Sequence, residues 1–485
     1  MLIVSARGKL WPTLRKGAPM RDVLSCDTAV AVGSATFDGS VIFAKNSDRP
    51  ANECQPLRHV PRRRHPAGAR LRTQYLEIGQ VEETWELIGS RPYWLWGFEI
   101  GVNEWGVAIG NEAVLSREGY EQPAGLLGMD LIRLGLERAQ SADQAVEVIG
   151  ALTERYGQGG SCEAPGLPFR TYHNSYIVAD PGGAWVLETA GRRWFARRVR
   201  DRASISNLFT LDEADSASLG AREHARARGW TGEPFSFAAA YQDPEADLRP
   251  RACRLDRSRA LLAGRDRPIR VDDMLALLRD HDGHGGIPRG EQELPSICMH
   301  VRPGAAGETA AAMVAHLRPE RPRELRTTAW TAFGSPCLSV FRPVYPFAVG
   351  LPAELDRGGA GYDPVSPWWA FERLQRIVAQ APDLAPIARA RLGELEGRLR
   401  DEADATEAEA ERRLAAGDRA GALGALRGLV DASTAQAVEL AIRLADQLES
   451  GGRRDGIPAM VEAWRPLNAE VGLLSTEDAG VHAPA

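Results

Sequence analysis

The chain of 485 residues carries 65 acidic and 59 basic side chains, a formal charge of −6 that leaves no cationic surplus for a phosphate backbone. With 44% hydrophobic and 26% charged residues it has the composition of a folded globular protein, and its length asks for two or three domains. No apolar run reaches the ~18 residues of a membrane span, and Arg7, Lys9, Arg15, Lys16 and Arg21 break any signal-peptide core. The six cysteines form no C-x-x-C, so a zinc ribbon and a disulfide framework are both disfavoured. Neither a nucleic acid nor a membrane partner is expected, and a reducing cytoplasm fits best.

From Cys26, the runs 27–32 and 41–44 on either side of Asp38-Gly39 predict a β-hairpin. A second is expected from 97–101 and 106–109 around Asn103, and a third from 176–178 and 184–187 around 180–183. Residues 126–139 read as a helix, and Ser141 with Gln144 three positions on is a capping box opening another through Val146, Ile149 and Leu152. Asp272 is expected to cap a helix that runs to Asp280, before strands over 329–333 and 338–341. Strand pairs and helix pairs come in separate runs, which predicts α+β with antiparallel sheets.

After about Leu351 the composition turns to Ala, Glu, Arg and Leu, predicting long helices over 367–379 and 385–416 in a C-terminal helical appendage. The charged run 398–413 reads as a solvated helix face. The expected organisation is an N-terminal extension over 1–25, a main domain over 26–350, a helical region over 351–474 and a frayed tail over 475–485.

The chemistry concentrates at the first hairpin. Cys26 stands directly before one strand and the next ends in Lys45-Asn46-Ser47-Asp48-Arg49-Pro50, so the turn returns Lys45 and Asp48 beside the thiol. A thiol acts as thiolate, and a neighbouring cation lowers its pKa from about 8.5 toward neutrality. Lys45 can be that cation; the other lysines are Lys9 and Lys16, in a chain where arginine is the default. If the chain were cut between Ser25 and Cys26, the new α-amino group, with a reference pKa of about 7.7 to 8.0, could serve as general base, held by Asp48. By itself a cysteine at a strand start reads as a small buried hydrophobe; its neighbours make it a nucleophile candidate.

Asp280-His281-Asp282-Gly283-His284, with His300 later, contains ligand types suited to zinc or manganese. It lacks H-E-x-x-H spacing and reads better as a helix end that caps and packs, so no metal and no organic cofactor is expected. Trp94, Trp96, Trp105, Trp185 and Trp194 read as core or pocket lining rather than a cation cage.

Several segments together resemble the secernins: Ser25-Cys26-Asp27-Thr28, Phe43-Ala44-Lys45-Asn46-Ser47-Asp48-Arg49-Pro50, Ser90-Arg91-Pro92-Tyr93-Trp94-Leu95-Trp96-Gly97, and the runs 106–114, 127–139, 156–160, 172–175 and 187–191. The likeness runs from Cys26 to about Arg342 and is weaker in the helical tail. Secernins are grouped with the C69 dipeptidases among the N-terminal nucleophile hydrolases. The resemblance therefore implies a four-layer αββα sandwich, a main domain that is catalytic, and a cysteine-type dipeptidase or exopeptidase working through an acyl-enzyme on a small peptide or amide. It implies Cys26 as nucleophile once freed as the N-terminus, with Asp48 positioning its amine. Asn111 matches an oxyanion-hole asparagine, Asn207 a substrate-side asparagine and Arg251 a further active-site arginine. Bile salt hydrolases and penicillin V acylases, more distant relatives, carry Arg where this chain has Lys45, and a cationic role survives that change. Removal of 1–25, or a start at Met20 with trimming to Ser25, would expose Cys26. An N-acyl amidase of a non-peptide amide and a non-catalytic regulatory or binding protein are the alternative readings; homo-oligomerisation stays open.

Overall fold

Strands buried on both faces build two stacked antiparallel sheets in the computed structural model, which describes residues 25–122, 124–230, 232–282, 296–305, 307–450 and 457–473. The six-stranded sheet has the order Arg202–Ile205, Cys26–Val32 (β1), Val41–Pro50 (β2), Gly307–Leu317, Thr327–Phe333, Arg342–Val344. The eight-stranded sheet has the order Ser216–Ala217, Arg193–Arg198, Gly183–Ala190, His173–Asp180, Ala108–Val114, Ile100–Asn103, Leu87–Ser90, Leu57–Val60. All three expected hairpins are present and antiparallel.

Side-chain alternation shows how each sheet is covered. In His173–Asp180, Tyr176 and Val178 share an apolar cluster with Leu131 and Ile132 of helix α1 (Gly128–Arg138) and Ile149 of helix α2 (Ala142–Tyr156). Ile177 and Ala179, on the opposite face, belong with Val30, Phe43 and Val314 of the other sheet. Helices Val271–Leu278, Pro367–Gln380, Ala385–Ala415 and Arg419–Ser450 close the outside of the six-stranded sheet. The result is the expected sequence of helix, sheet, sheet and helix layers, with burial of each large aliphatic side chain contributing roughly 1.5–3 kcal/mol.

The helices after 351 are not an appendage. They form the fourth layer, and Trp368 and Trp369 are buried in the main core, the Trp368 indole donating to the Ala310 carbonyl at 2.8 Å. The run 398–413 is likewise not wholly solvated, because Glu407 is buried and accepts from Arg318 at 2.6 Å and from the Tyr345 hydroxyl at 2.9 Å. Composition shows a charged helix but not which charge has a partner across the sheet.

Local differences follow the same logic. Ser141 caps α2 through Gln144 N, but the Gln144 side chain accepts from the Gln140 N–H rather than from Ser141. Asp273, not Asp272, closes the start of Val271–Leu278, accepting from Arg270 N at 2.8 Å. The strand expected over 338–341 is a tight turn, Pro336–Leu338, followed by Arg342–Val344. Among the described residues no helix is long and apolar enough to cross a membrane.

Candidate active site

β1 begins at a cleft of about 660 Å³ whose walls include Ser25, Cys26, Asp48, Asn111, Tyr172 and Met299. Cys26 lies opposite Ser47 of β2, so the hairpin register does place the thiol beside Asp48, whose N–H is 3.4 Å from Sγ. The peptide N–H of Cys26 donates to Asn207 Oδ1 at 2.9 Å. Asn207 Nδ2 donates to the Ala113 carbonyl at 2.9 Å, which fixes the orientation of its amide.

Arg251 is not the arginine at this site. Its guanidinium turns to the Asp247 carbonyl, while Arg254, one turn further along helix Arg249–Ala263, reaches the thiol strand. Arg254 donates to the Cys26 carbonyl at 3.0 Å, to Asn207 Oδ1 at 2.8 Å and to Asp27 Oδ2 at 2.6 Å, all in full burial.

Lys45 crosses from one sheet to the other. Its Nζ donates to the Asn111 carbonyl and lies 3.4 Å from Glu112 Oε1, which also accepts from Thr28 Oγ1 at 2.6 Å. Gly110 makes the crossing possible, since a Cβ there would lie 2.3 Å from Lys45 Cδ. Burial opposes the charge on Lys45, but Cys26 whenever it is ionised, together with Glu112, Glu99 and Asp48, outweighs it and holds the ammonium pKa above its usual value. The thiol does not follow the sequence expectation. Burial pushes the Cys26 pKa up; Lys45 pulls it down, and Asp48, Glu99 and Glu112 add to the rise. With Ser25 still attached the thiol is held protonated, because one cation does not offset desolvation and three carboxylates.

Asp48 is set by a β-bulge. Thr309 pairs with Asp48 and Ala311 with Ser47, leaving Ala310 extra, and the Thr309 hydroxyl donates to Asp48 Oδ1 at 2.6 Å. Asp48 Oδ2 is buried without a hydrogen-bond partner. Burial raises this carboxyl to about 6 against the Thr309 hydrogen bond and the charge of Arg254.

Asn111 sits at the end of an amide relay. Its Nδ2 donates to Asn174 Oδ1 at 2.8 Å, Asn174 Nδ2 donates to Gln158 Oε1 at 3.0 Å, and Gln158 Nε2 donates to the Gly191 carbonyl at 3.1 Å. That order fixes Asn111 with an N–H toward Asn174 and leaves its second hydrogen only Met129 Sδ, a weak acceptor at 3.7 Å. Gly128 lets the relay approach α1, since a Cβ there would lie 1.9 Å from Asn174 Oδ1.

The other sequence candidates are elsewhere. Asp280 pairs with Arg257 at 2.7 Å, His281 meets His300 with their Nε2 atoms 3.1 Å apart, and His284 lies outside the described residues. The five tryptophans are absent from the cleft walls; Trp96 and Trp185 instead carry Arg133 and Arg198 over their rings at 4.1 and 4.4 Å. Thr309, Arg254, Asn174 and Gln158 were not singled out from sequence, and of these only Asn174 and Gln158 lie inside motifs that carried a signal.

The chain is 26% identical over 369 residues to the protein named "Probable dipeptidase A" of Streptococcus pyogenes serotype M1, covering 66% of this chain and 75% of that one. It is 24% identical over 435 residues to a dipeptidase of Bifidobacterium longum (strain NCC 2705), covering 74% of this chain and 77% of the relative. Two solved structures also align. A mutant conjugated bile acid hydrolase from Clostridium perfringens does so at 13% identity and a TM-score of 0.35, over 62% of this chain and 91% of its own. Penicillin V acylase from Agrobacterium tumefaciens does so at 13% identity and a TM-score of 0.38, over 69% and 89%. The sequence profile of peptidase family C69 matches residues 25–220 and 209–388, and the chain belongs to that family.

Proposed function

We propose that this chain is a cysteine-type dipeptidase whose nucleophile is Cys26, acting after the bond from Ser25 has been cut. The observation that carries the reading is the setting of Cys26: it is the cysteine lining the cleft, its backbone nitrogen is held by Asn207, and a buried Asp48 oxygen beside it lacks a partner. Freed, that nitrogen becomes an amine that Asp48 can hold, and it takes the thiol proton as general base. The thiolate forms a bond to the substrate carbonyl carbon, and the C=O electron pair moves to oxygen. Asn111 Nδ2 leaves its weak sulfur contact to donate to that oxyanion. Collapse expels the leaving amine with the proton from the Cys26 ammonium, giving a thioester. Water, losing its proton to the same amine, then releases the acyl group and restores the thiol.

The cleft walls hold two ion pairs, Arg49 with Glu99 at 3.5 Å and Arg170 with Glu163 at 3.3 Å, and a zwitterionic substrate can exchange a charge of each sign into them, which favours a dipeptide. A dipeptide carries one free charge of each sign; an N-acyl amide lacks the amine. A panel of dipeptides assayed beside their N-acetylated forms tests this, with the free dipeptides expected to be cleaved at higher kcat/KM. Preferential turnover of acylated or non-peptide amides would replace the dipeptidase reading with an amidase.

Asn111→Ala is expected to lower kcat about 100-fold with KM little changed, since a donor to the oxyanion works only in the transition state. Steady-state kinetics check it, and a rise in KM alone would assign Asn111 to substrate binding.

Lys45→Met is expected to raise the thiol pKa further, because it removes the group that lowers it while leaving Glu112 and Glu99 in place. Alkylation of Cys26 followed against pH reads the shift directly; an unchanged profile removes Lys45 from the electrostatics of the thiol.

A further inference from the structure

Four ligand-type side chains from three separate segments converge behind the cleft wall. His281 follows helix Val271–Leu278, Cys298 and His300 flank Met299, and Cys337 lies in the turn Pro336–Leu338. His300 Nε2 is 3.1 Å from His281 Nε2, 3.3 Å from Cys337 Sγ and 3.5 Å from Cys298 Sγ, and the four ligand atoms all lie within 4.8 Å of one another. Among the described residues this is the one such grouping. Zinc bonds of about 2.0–2.1 Å to nitrogen and 2.3 Å to sulfur give tetrahedral edges of about 3.4 Å for N–N and 3.6 Å for N–S. The three spacings from His300 Nε2 lie within a few tenths of an ångström of those edges.

We propose that His281, Cys298, His300 and Cys337 bind one zinc-class divalent ion as a closed Cys₂His₂ tetrahedron. Two thiolates balance the charge of the ion, so a buried site carries no net charge. Cys298, His300 and Cys337 are buried and His281 is half-buried at the rim, which gives the ion a way in. The surroundings favour the tautomer protonated at Nδ1, which leaves the Nε2 lone pair for the ion: His300 Nδ1 faces the Ser335 hydroxyl at 3.4 Å, and that hydroxyl donates to the Met299 carbonyl at 3.0 Å.

With four protein ligands the ion has no open position, and its role is to brace the cleft. Met299, held between two ligands, lines the cleft, and its N–H donates to Thr309 Oγ1 at 3.0 Å. Thr309 is the residue that donates to Asp48. The Cys298 N–H donates to the Asp280 carbonyl at 3.1 Å, tying the His281 arm to the same strap. An ion here fixes the wall that positions Asp48 without touching substrate.

Metal analysis of the full-length protein after exhaustive dialysis is expected to find about one zinc per chain. Cobalt substituted into the wild-type protein should give a thiolate-to-cobalt charge-transfer band and tetrahedral visible bands, a readout independent of activity and of any variant's folding. Cys298→Ser/Cys337→Ser should lose both zinc and the bands, Cys253→Ser should keep them, and the rim variant His281→Ala should release zinc to a chelator faster than wild type. Absence of bound metal and of cobalt bands, zinc retained by the double variant, or a Cys298–Cys337 disulfide found by peptide mapping of freshly purified protein would each overturn the proposal.

Discussion

Cys26→Ala and Cys26→Ser are expected to lose dipeptide hydrolysis by about 10⁴-fold or more, because removal of a covalent nucleophile disables the whole acyl-transfer sequence at once. The fold should survive. Cys26 is buried at 6% exposure, and alanine removes only its sulfur, a loss of about 1 kcal/mol for a small buried group. No other cysteine lines the cleft, so none is placed to take over. Kinetics with the dipeptides cleaved by the wild type, alongside thermal unfolding, check both halves. Substantial turnover by Cys26→Ala at unchanged stability would remove Cys26 from the chemistry.

Arg254→Met is expected to cost about 3–5 kcal/mol of stability together with activity, since it strands Asp27 as a buried charge without its counter-ion. Asp27 already has its pKa raised by burial, opposed chiefly by Arg254, and the Cys26 carbonyl and Asn207 Oδ1 lose a donor in the same change. Adding Asp27→Asn should return part of the stability, because it removes the stranded charge. Urea unfolding measures both variants. A loss under about 1 kcal/mol for Arg254→Met would show that the pair is not the anchor of β1.

The elements read correctly from sequence are the ones whose causes are local. The hairpin joining Cys26 to Asp48 rests on two short apolar runs, 29–32 and 41–44, on either side of a glycine turn, so its pairing follows from a short stretch of chain. Arg254 was missed because arginine also occupies positions 249, 251, 257 and 259, and only the phase of the helix against Leu255 and Leu262 decides which one reaches β1. Thr309 depends on a bulge that no spacing rule signals, and the Asn111–Asn174–Gln158 relay depends on how a sheet meets the loop after α2. The rise in the thiol pKa was hidden for a related reason: Lys45 is visible in the motif, whereas Glu99 and Glu112 arrive from positions more than fifty residues away. The same holds for His281, Cys298, His300 and Cys337, whose irregular spacing disguises a compact cluster.

The mechanism requires Cys26 to be the first residue of the active enzyme, since an amide nitrogen cannot act as the base. Intact mass combined with N-terminal sequencing of the fully active protein measures this directly. Cys26 at the N-terminus, with residues 1–25 gone, is the predicted result; full activity in material that still carries Ser25 would contradict the mechanism.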